Sequence, residues 1–476
     1  MQRNGARSAS GFVSTWASLH DDRFDVFDHR KESGVRPVAL RLTVLGTGYL
    51  GATHAACMAE LGFEVLGMDV DTAKIDTLRG GSLPFYEPGL ESVLTRTLES
   101  GRLRFTTSYE EVAEFGDVHF ICVGTPQQAS TYAADLTYIN AVVDGLSPHL
   151  KRPCLVVGKS TVPVGTAAAM ADRMLALAPA GAAAELAWNP EFLREGHAVD
   201  DTLSPDRLVI GVRSEHAEKT LREVYAPVLA TGTPMVVTDF ATAELVKVSA
   251  NAFLATKISF INAMAEVCEA AGADIEQLSE ALGHDPRIGN QFLKAGLGFG
   301  GGCLPKDIRA FMARAGELGV EQALTFLREV DDINLRRRDR LVDLATEELG
   351  GTLRGKRIAV LGAAFKPESD DVRDSPALHV AASLQLRGAD VAVYDPAANT
   401  NAAQIFPNLD YVDSADAALQ DADAVLLLTE WAEFRALDPE KVGRQVRSKR
   451  ILDGRLCLDP VVWRAAGWTY RAPGRP

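Results

Sequence analysis

"LTVLGTGYLGATHAACMAELGFEVLGMDVD", residues 42–71, changes character three times. Leu42–Leu45 is a short apolar run. Three glycines follow, then an alanine-rich stretch, then a second apolar run that ends in acid. The pattern reads as strand, tight turn, helix, strand. In Gly46-x-Gly48-x-x-Gly51, Gly46 permits the turn, Gly48 lets a pyrophosphate approach the backbone, and Gly51 lets helix and strand pack closely. The helix N-terminus then faces the phosphates with its partial positive charge. Asp69 lies 18 residues beyond Gly51. A carboxylate there accepts hydrogen bonds from ribose hydroxyls and repels a 2′-phosphate, which favours NAD over NADP. A glycine trio alone is a weak signal, and a merely structural turn competes with it. Strand, helix and acid together make it specific.

Outward from this unit, apolar runs recur at 118–124, 154–161 and 186–192, with helical stretches between them. Such alternation implies a parallel sheet covered on both faces. Residues 241–273 are rich in Ala, Leu, Ile and Val, with no Pro or Gly before Gly272. They predict a helix on the order of 45 Å, apolar enough to bury more than one face; domain linking and subunit contact would both do that. Residues 355–367, 390–396 and 422–431 repeat the strand–turn–helix–strand pattern without repeating the sequence. The expected fold class is α/β: two Rossmann-like doubly wound domains, over 41–238 and 346–476, joined by a central long-helix region over 239–345. Residues 1–40, which include "HDDRFDVFDHRKES", read as a disordered N-terminal arm.

The 476 residues suit two or three domains. A net charge of -15 argues against nonspecific binding to nucleic acid or an anionic membrane, and requires a local basic cluster for any anionic ligand. No apolar run approaches the ~20 residues of a membrane helix. No secretory h-region is present, and a cytoplasmic protein is expected. The six cysteines show no paired spacing and read as reduced thiols. There is no CxxC or HExxH, and nine scattered histidines give no metal site.

"GFGGGCLPKD", residues 298–307, places one cysteine between a glycine run and a helix start. Proline is favoured at a first helical position, so Cys303 is expected at a helix N-terminus, where the dipole and Lys306 favour thiolate. Asp307 follows one turn later on the same face. The glycines are expected to let a bulky substrate lie against the backbone. The competing account is a small buried hydrophobe. Lys247 and Asn251, four apart on the long helix, share a face. They are either a solvated edge or two donors aimed at one point, as a developing oxyanion needs. "VGTP" (123–126) and "STVPVGT" (160–166) end strands and line a ligand crevice, unless they are plain turn chemistry.

From about Leu42 to Trp468 the chain resembles the UDP-glucose 6-dehydrogenase family, within the UDP-glucose/GDP-mannose dehydrogenases. The resemblance is carried, in order, by "GTGYLGATHA", "PFYEPGL", "ICVGTPQ", "KSTVPVGT", "NPEFLREG", "PDRLVIG", "AELVKVSANAFLATKISFINA", "PRIGNQFLKAGLGFGGGCLPKD" and "GAAFKPESDDVRDSP". Two of these most resemble actinobacterial members. The resemblance implies oxidation of UDP-glucose to UDP-glucuronate by two NAD in succession, with Cys303 as nucleophile through a thiohemiacetal and a thioester. It implies oxyanion stabilisation by Lys247 and Asn251, a water-orienting Asp307, and Thr161 and Glu191 in water holding or acid–base relay. It implies substrate contacts from Glu191, Phe192, Leu193, Arg194, Glu195, Lys247, Asn251, Phe292, Lys294, Gly300, Phe365, Lys366 and Arg455, with Arg287 reaching a partner subunit's site in a homodimer. Cofactor contacts would be Gly46, Gly48, Gly51, Asp69, Lys74, Thr125, Thr161, Glu195, Lys306 and Arg373. Two departures stand out: Gly302 replaces the family's usual serine, and Leu304 replaces the common phenylalanine. Other readings are the same chemistry on GDP-mannose or a UDP-N-acetylhexosamine, a two-electron hydroxyacid dehydrogenase, which has no need of Cys303, and a non-catalytic sugar-nucleotide-binding protein.

Overall fold

The structure, a computed structural model, describes residues 40–129 and 131–475. Except for Leu40, the arm expected over 1–40 falls outside the described residues.

Eight short apolar strands form the first sheet: β1 (Arg41–Leu45), β2 (Glu64–Met68), β3 (Leu103–Thr106), β4 (Val118–Ile121), β5 (Cys154–Gly158), β6 (Ala184–Trp188), β7 (Leu208–Gly211) and β8 (Met235–Thr238). Their order is β3-β2-β1-β4-β5-β6-β7-β8, parallel throughout except β6 against β7. Helices cover both faces, so Leu42, Val44, Phe120, Ile121 and Trp188 are fully buried. The order reverses at β1 and β4, which opens a crevice at the carboxyl ends of the strands.

The C-terminal sheet contains β9 (Arg357–Leu361), β10 (Asp390–Tyr394), β11 (Asp410–Tyr411), β12 (Ala424–Leu427), β13 (Arg450–Asp453) and β14 (Thr469–Arg471). Its order, β11-β10-β9-β12-β13-β14, is all parallel and reproduces the first six strands of the other sheet. What reads in the sequence as an echo is the same topology. The expected α/β class, with two doubly wound domains and a helical centre, is the one observed.

Between the sheets runs the helix Phe240–Ala271, 32 residues long, or about 48 Å. The Asp239 side chain caps it by accepting from the Thr242 N–H at 2.8 Å, and Gly272 ends it with a φ of 71°. It packs with helices Leu304–Glu317 and Phe326–Glu348 around Ala252, Ala255, Phe299, Ile308, Leu327 and Val330. Phe253 (67% exposed), Phe260 (48%) and Val267 (57%) recur every seven residues along another side of the same helix. Among the described residues no helix is long and apolar enough to cross a membrane.

Candidate active site

The glycine turn is built as the spacing demands. Gly46 has a φ of 90°, and its N–H donates to the Met68 carbonyl at 2.8 Å. A Cβ on Gly51 would lie 1.8 Å from the Gly46 oxygen, so only glycine lets this helix approach this strand. A Cβ on Gly48, or on Gly124 after β4, would meet nothing within 4 Å. That open cradle at a helix N-terminus fits a pyrophosphate. Asp69 accepts from the Thr47 N–H (2.9 Å), the Asp71 N–H (3.1 Å) and Lys74 Nζ (2.9 Å). Burial works to raise its pKa, but Lys74 and the two N–H groups outweigh it, so the carboxyl lies below its ordinary value. The Thr125 hydroxyl donates to the Thr161 carbonyl at 2.7 Å, and Ser160 to the Val123 carbonyl at 2.6 Å, which stitches the two crevice loops together. The residues present fit NAD.

The long helix and the helix Leu304–Glu317 bring the expected chemistry into one cleft. Lys247 and Asn251 are both buried, at 5% and 7% exposed, which excludes the solvated edge. They do not aim at one point. Lys247 pairs with Glu191 at 3.1 Å, and Asn251 Nδ2 donates to Asp307 at 2.6 Å. Burial works against the Lys247 charge, but Glu191, the charge Cys303 can carry and Asp307 outweigh it and hold its pKa above the ordinary lysine value. Asp307, 2% exposed, also holds Lys306 Nζ at 2.5 Å.

Cys303 caps this second helix, as expected, and its residue surface is open to solvent. The expected thiolate is not what the surroundings favour. Dense protein around the sulfur, then the charges of Glu191 and Asp307, push the thiol up to about 12, against a weaker pull from Lys247 and Lys306. The helix terminus and Lys306 were the grounds for expecting a thiolate; Lys306 is committed to Asp307 instead.

The glycine run also departs from expectation. It does not clear space for a substrate; the protein fills it. A Cβ on Gly298 would lie 2.2 Å from Asn334, one on Gly300 2.4 Å from the Asp374 carbonyl, and one on Gly301 2.8 Å from the Phe365 ring. At Gly302 it would lie 2.2 Å from the Arg373 guanidinium, so a serine there would require the end of that side chain to move. On its Cα side Gly300 therefore faces the C-terminal domain. The Gly301 N–H donates to the Arg373 carbonyl (2.8 Å) and the Gly302 N–H to Asp371 (3.2 Å), so the loop before Cys303 is moored to the loop after β9.

Residues 189–197 carry the acids. Glu191 also accepts from the Leu193 N–H at 2.6 Å. Phe192 stacks under Arg207 and faces Lys247, while Arg194 is turned onto Asp201 at 2.6 Å. Glu195 meets Arg373 (3.4 Å) and Ser369 (3.0 Å), and its carbonyl accepts from Lys366. Burial, then Asp371, push its carboxyl up to about 7, against Arg373, Ser369 and Lys366. Arg455 donates to the carbonyls of Leu428 (2.7 Å), Gly298 (3.2 Å) and Phe365 (2.9 Å), so it fastens three segments rather than standing free for a diphosphate. Phe292, Lys294 and Arg287 face solvent, Arg287 paired with Asp285 at 2.6 Å. The sequence reading gave no role to Asp371 or Glu87. Both lie in motifs that it quoted, but their partners are far along the chain.

Three family descriptions match in order: the NAD binding domain of the UDP-glucose/GDP-mannose dehydrogenase family over residues 40–229, its central domain over 241–336 and its UDP binding domain over 359–460. The chain is 41% identical to the UDP-glucose 6-dehydrogenase of Pseudomonas aeruginosa, over 92% of this chain and 98% of that one. It is 41% identical to the UDP-glucose 6-dehydrogenase YwqF of Bacillus subtilis, with the same coverage. In structure it is similar to a UDP-glucose dehydrogenase from Pyrobaculum islandicum, with a TM-score of 0.85 at 40% identity, over 93% of this chain and all of that one. A UDP-D-ManNAc dehydrogenase from Pyrococcus horikoshii gives 0.80 at 28% identity, over 92% of this chain and 99% of the other. Topology, cradle, cleft and relatives agree: the chain belongs to the UDP-glucose/GDP-mannose dehydrogenase family.

Proposed function

We propose that the protein oxidises the C6 hydroxyl of UDP-glucose twice, giving UDP-glucuronate in the cytoplasm. The observation that carries this reading is the convergence of an accessible Cys303 with Lys247, Asn251, Asp307 and Glu191 in one cleft, beside a cradle that fits NAD. A two-electron dehydrogenase has no use for that thiol. The relatives that are 40–41% identical support the substrate.

NAD, when bound, accepts one hydride in each of the two oxidations. The first oxidation takes the alcohol to an aldehyde. An aldehyde has no second hydroxyl to oxidise until a nucleophile adds. Cys303 Sγ forms a bond to C6, and the thiol proton passes to the new hydroxyl. Oxidation of this thiohemiacetal leaves a thioester. Water then breaks the C–S bond, giving the carboxylate and restoring the thiol. With substrate bound, the Lys247 N–H groups not held by Glu191 and the Asn251 N–H not held by Asp307 donate to the oxygen that carries the negative charge. Asp307, held by Asn251 and Lys306, orients the water, and Glu191, with Thr161, moves the proton. A thiol held high ionises only when its proton has somewhere to go, and Glu191, whose charge acts on the Cys303 sulfur, is a carboxylate that can take it. Arg373 and Lys366 form the basic cluster that an acidic protein needs beside an anionic nucleotide, and Arg455 fixes the loop that carries them through the Phe365 carbonyl.

The stripe Phe253, Phe260, Val267, with exposed Phe326 and Leu335, fits a second copy of the chain, and exposed Arg287 would reach that copy's site. A monomeric mass in sedimentation removes this part of the reading.

The deciding measurement counts NADH formed per UDP-glucose consumed, in the wild type and in Cys303→Ser. Two in the wild type, with turnover stalled in the variant, is expected. One in both would make Cys303 structural. No product from UDP-glucose, with turnover of GDP-mannose or a UDP-N-acetylhexosamine, would move the substrate and leave the chemistry.

A further inference from the structure

The segment 84–90, "PFYEPGL", supplies none of the groups used so far, yet it carries a buried carboxylate at the back of the site. Glu87 is 5% exposed. Its Oε2 accepts from the Tyr49 hydroxyl and from the Gly196 N–H at 2.7 Å, and its Oε1 accepts from the Ala198 N–H at 2.7 Å. The Tyr49 hydroxyl in turn accepts from the Gly196 N–H at 3.1 Å, and the Tyr49 ring packs on Phe85 at 5.1 Å. No lysine or arginine pairs with Glu87 among the described residues. Three donors from two places satisfy it instead.

The two places matter. Tyr49 directly follows Gly48, inside the dinucleotide turn. Gly196 directly follows Glu195 and Ala198 opens the next helix, at the end of the loop that begins with Asn189 and carries Glu191. The opposite side of Gly196 is walled by the C-terminal domain, since a Cβ there would lie 2.9 Å from the Glu368 carbonyl. The loop therefore has no slack: Glu87 holds it from below and the loop after β9 from above. Burial and the bond to Glu87 hold the Tyr49 hydroxyl protonated, so it serves only as a donor to the carboxylate.

We propose that Glu87 is a positioning residue that ties the dinucleotide turn to the acid-bearing loop, so that Glu191 and Glu195 take their places relative to the cofactor cradle. The inference rests on the reading of that cradle as the NAD site. The carboxylate is needed rather than an amide. A glutamine would turn its NH₂ toward one of the three donors and leave that donor buried and unpaired.

The test uses the full-length protein, with NAD and UDP-glucose binding each measured by calorimetry and turnover measured separately. Glu87→Gln is expected to weaken NAD binding about tenfold and to lower kcat about tenfold to a hundredfold, from the loss of charge-assisted hydrogen bonds. UDP-glucose binding is expected to fall less than NAD binding, because Lys366 and Arg373 stand on the loop after β9 and meet the displaced loop only at Glu195. Tyr49→Phe, which leaves both N–H bonds intact, is expected to weaken NAD binding less. The double variant should be no worse than Glu87→Gln, because the hydroxyl acts through the carboxylate. Unchanged NAD binding and kcat in Glu87→Gln would overturn the proposal, as would parallel loss of both ligands, the mark of a merely structural residue. Additive effects of the two substitutions would also overturn it. These binding measurements stand apart from the count of NADH per substrate, so either reading can fail alone.

Discussion

The two sheets have one topology, and the same hydrogen bonds start both. The Gly46 N–H donates to the Met68 carbonyl, and the Gly362 N–H to the Tyr394 carbonyl, each at 2.8 Å. The next N–H, of Thr47 or Ala363, donates to the acid that follows the neighbouring strand, Asp69 or Asp395, at 2.9 and 2.8 Å. From there the two diverge. Gly48 and Gly51 have Ala364 and Pro367 as their counterparts. The first helix opens at Tyr49, while its counterpart waits until Pro376. Asp69 keeps 8% of its surface and a lysine partner. Asp395, 2% exposed, also accepts from the N–H groups of Ala364 (2.9 Å), Ala397 (3.0 Å) and Ala398 (2.9 Å) and from the Trp431 indole (3.1 Å). Asp69 keeps a charged side-chain partner at the mouth of its crevice, whereas Asp395 is closed in by four backbone N–H groups and an indole. Trp431, buried after β12, donates to Asp395, whereas a Cβ on Gly124 after β4 would meet nothing within 4 Å. The same scaffold becomes a dinucleotide site or a rigid platform according to who satisfies one carboxylate. In the second sheet the long loop after β9 is freed to carry Phe365, Lys366, Asp371 and Arg373 across to the other domain.

The sharpest way to break this comparison is to remove each acid. Asp395→Ala strands five donors, four of them buried, and is expected to destabilise the protein by about 3–5 kcal/mol in denaturant unfolding. A loss under about 1 kcal/mol would mean that Asp395 is not the plug described. Glu195 sits where the two domains meet, 13% exposed. Its carboxyl is raised to about 7 from an ordinary 4.5, so the folded state holds a proton that the unfolded chain has lost. Charging it costs stability, and that cost grows as pH rises from the unfolded value through the folded one. Glu195→Gln is therefore expected to be more stable than wild type at pH 8, by up to about 3 kcal/mol, and to lose nearly all of that gain at pH 4.5. A gain equal at both pH values would remove the titration from the account. Asp69→Ala should have the smallest effect: a KM for NAD about tenfold higher, with unfolding changed far less than in Asp395→Ala. An unchanged KM would place the cofactor elsewhere.

Much of the first domain was legible because its signals are local. A glycine at the turn, a helix three residues later and an acid at a strand end are each decided by neighbours in the chain. The long helix was legible for the same reason, over 241–273 with its stop at Gly272, while its cap at Asp239 came from the structure. The glycine run before Cys303 was misread because identical glycines serve two purposes: Gly48 opens space for a ligand, and Gly298, Gly300, Gly301 and Gly302 admit protein. No spacing separates the two. The Cys303 thiol was misread because its pKa depends on burial and on carboxylates brought from other segments.

By itself the sequence determined where strands, turns and helices lie, that there are two doubly wound domains, and which side chains could carry chemistry. Torsions and apolar periodicity are settled within a few residues. Only the tertiary structure decided which donor meets which acceptor. Asn251 bonds Asp307 across 56 residues, Ala198 bonds Glu87 across 111, and Arg373 reaches Glu195 across 178. Those pairings depend on how finished elements pack, and packing decides which charges are buried, which acids are satisfied and which crevice stays open.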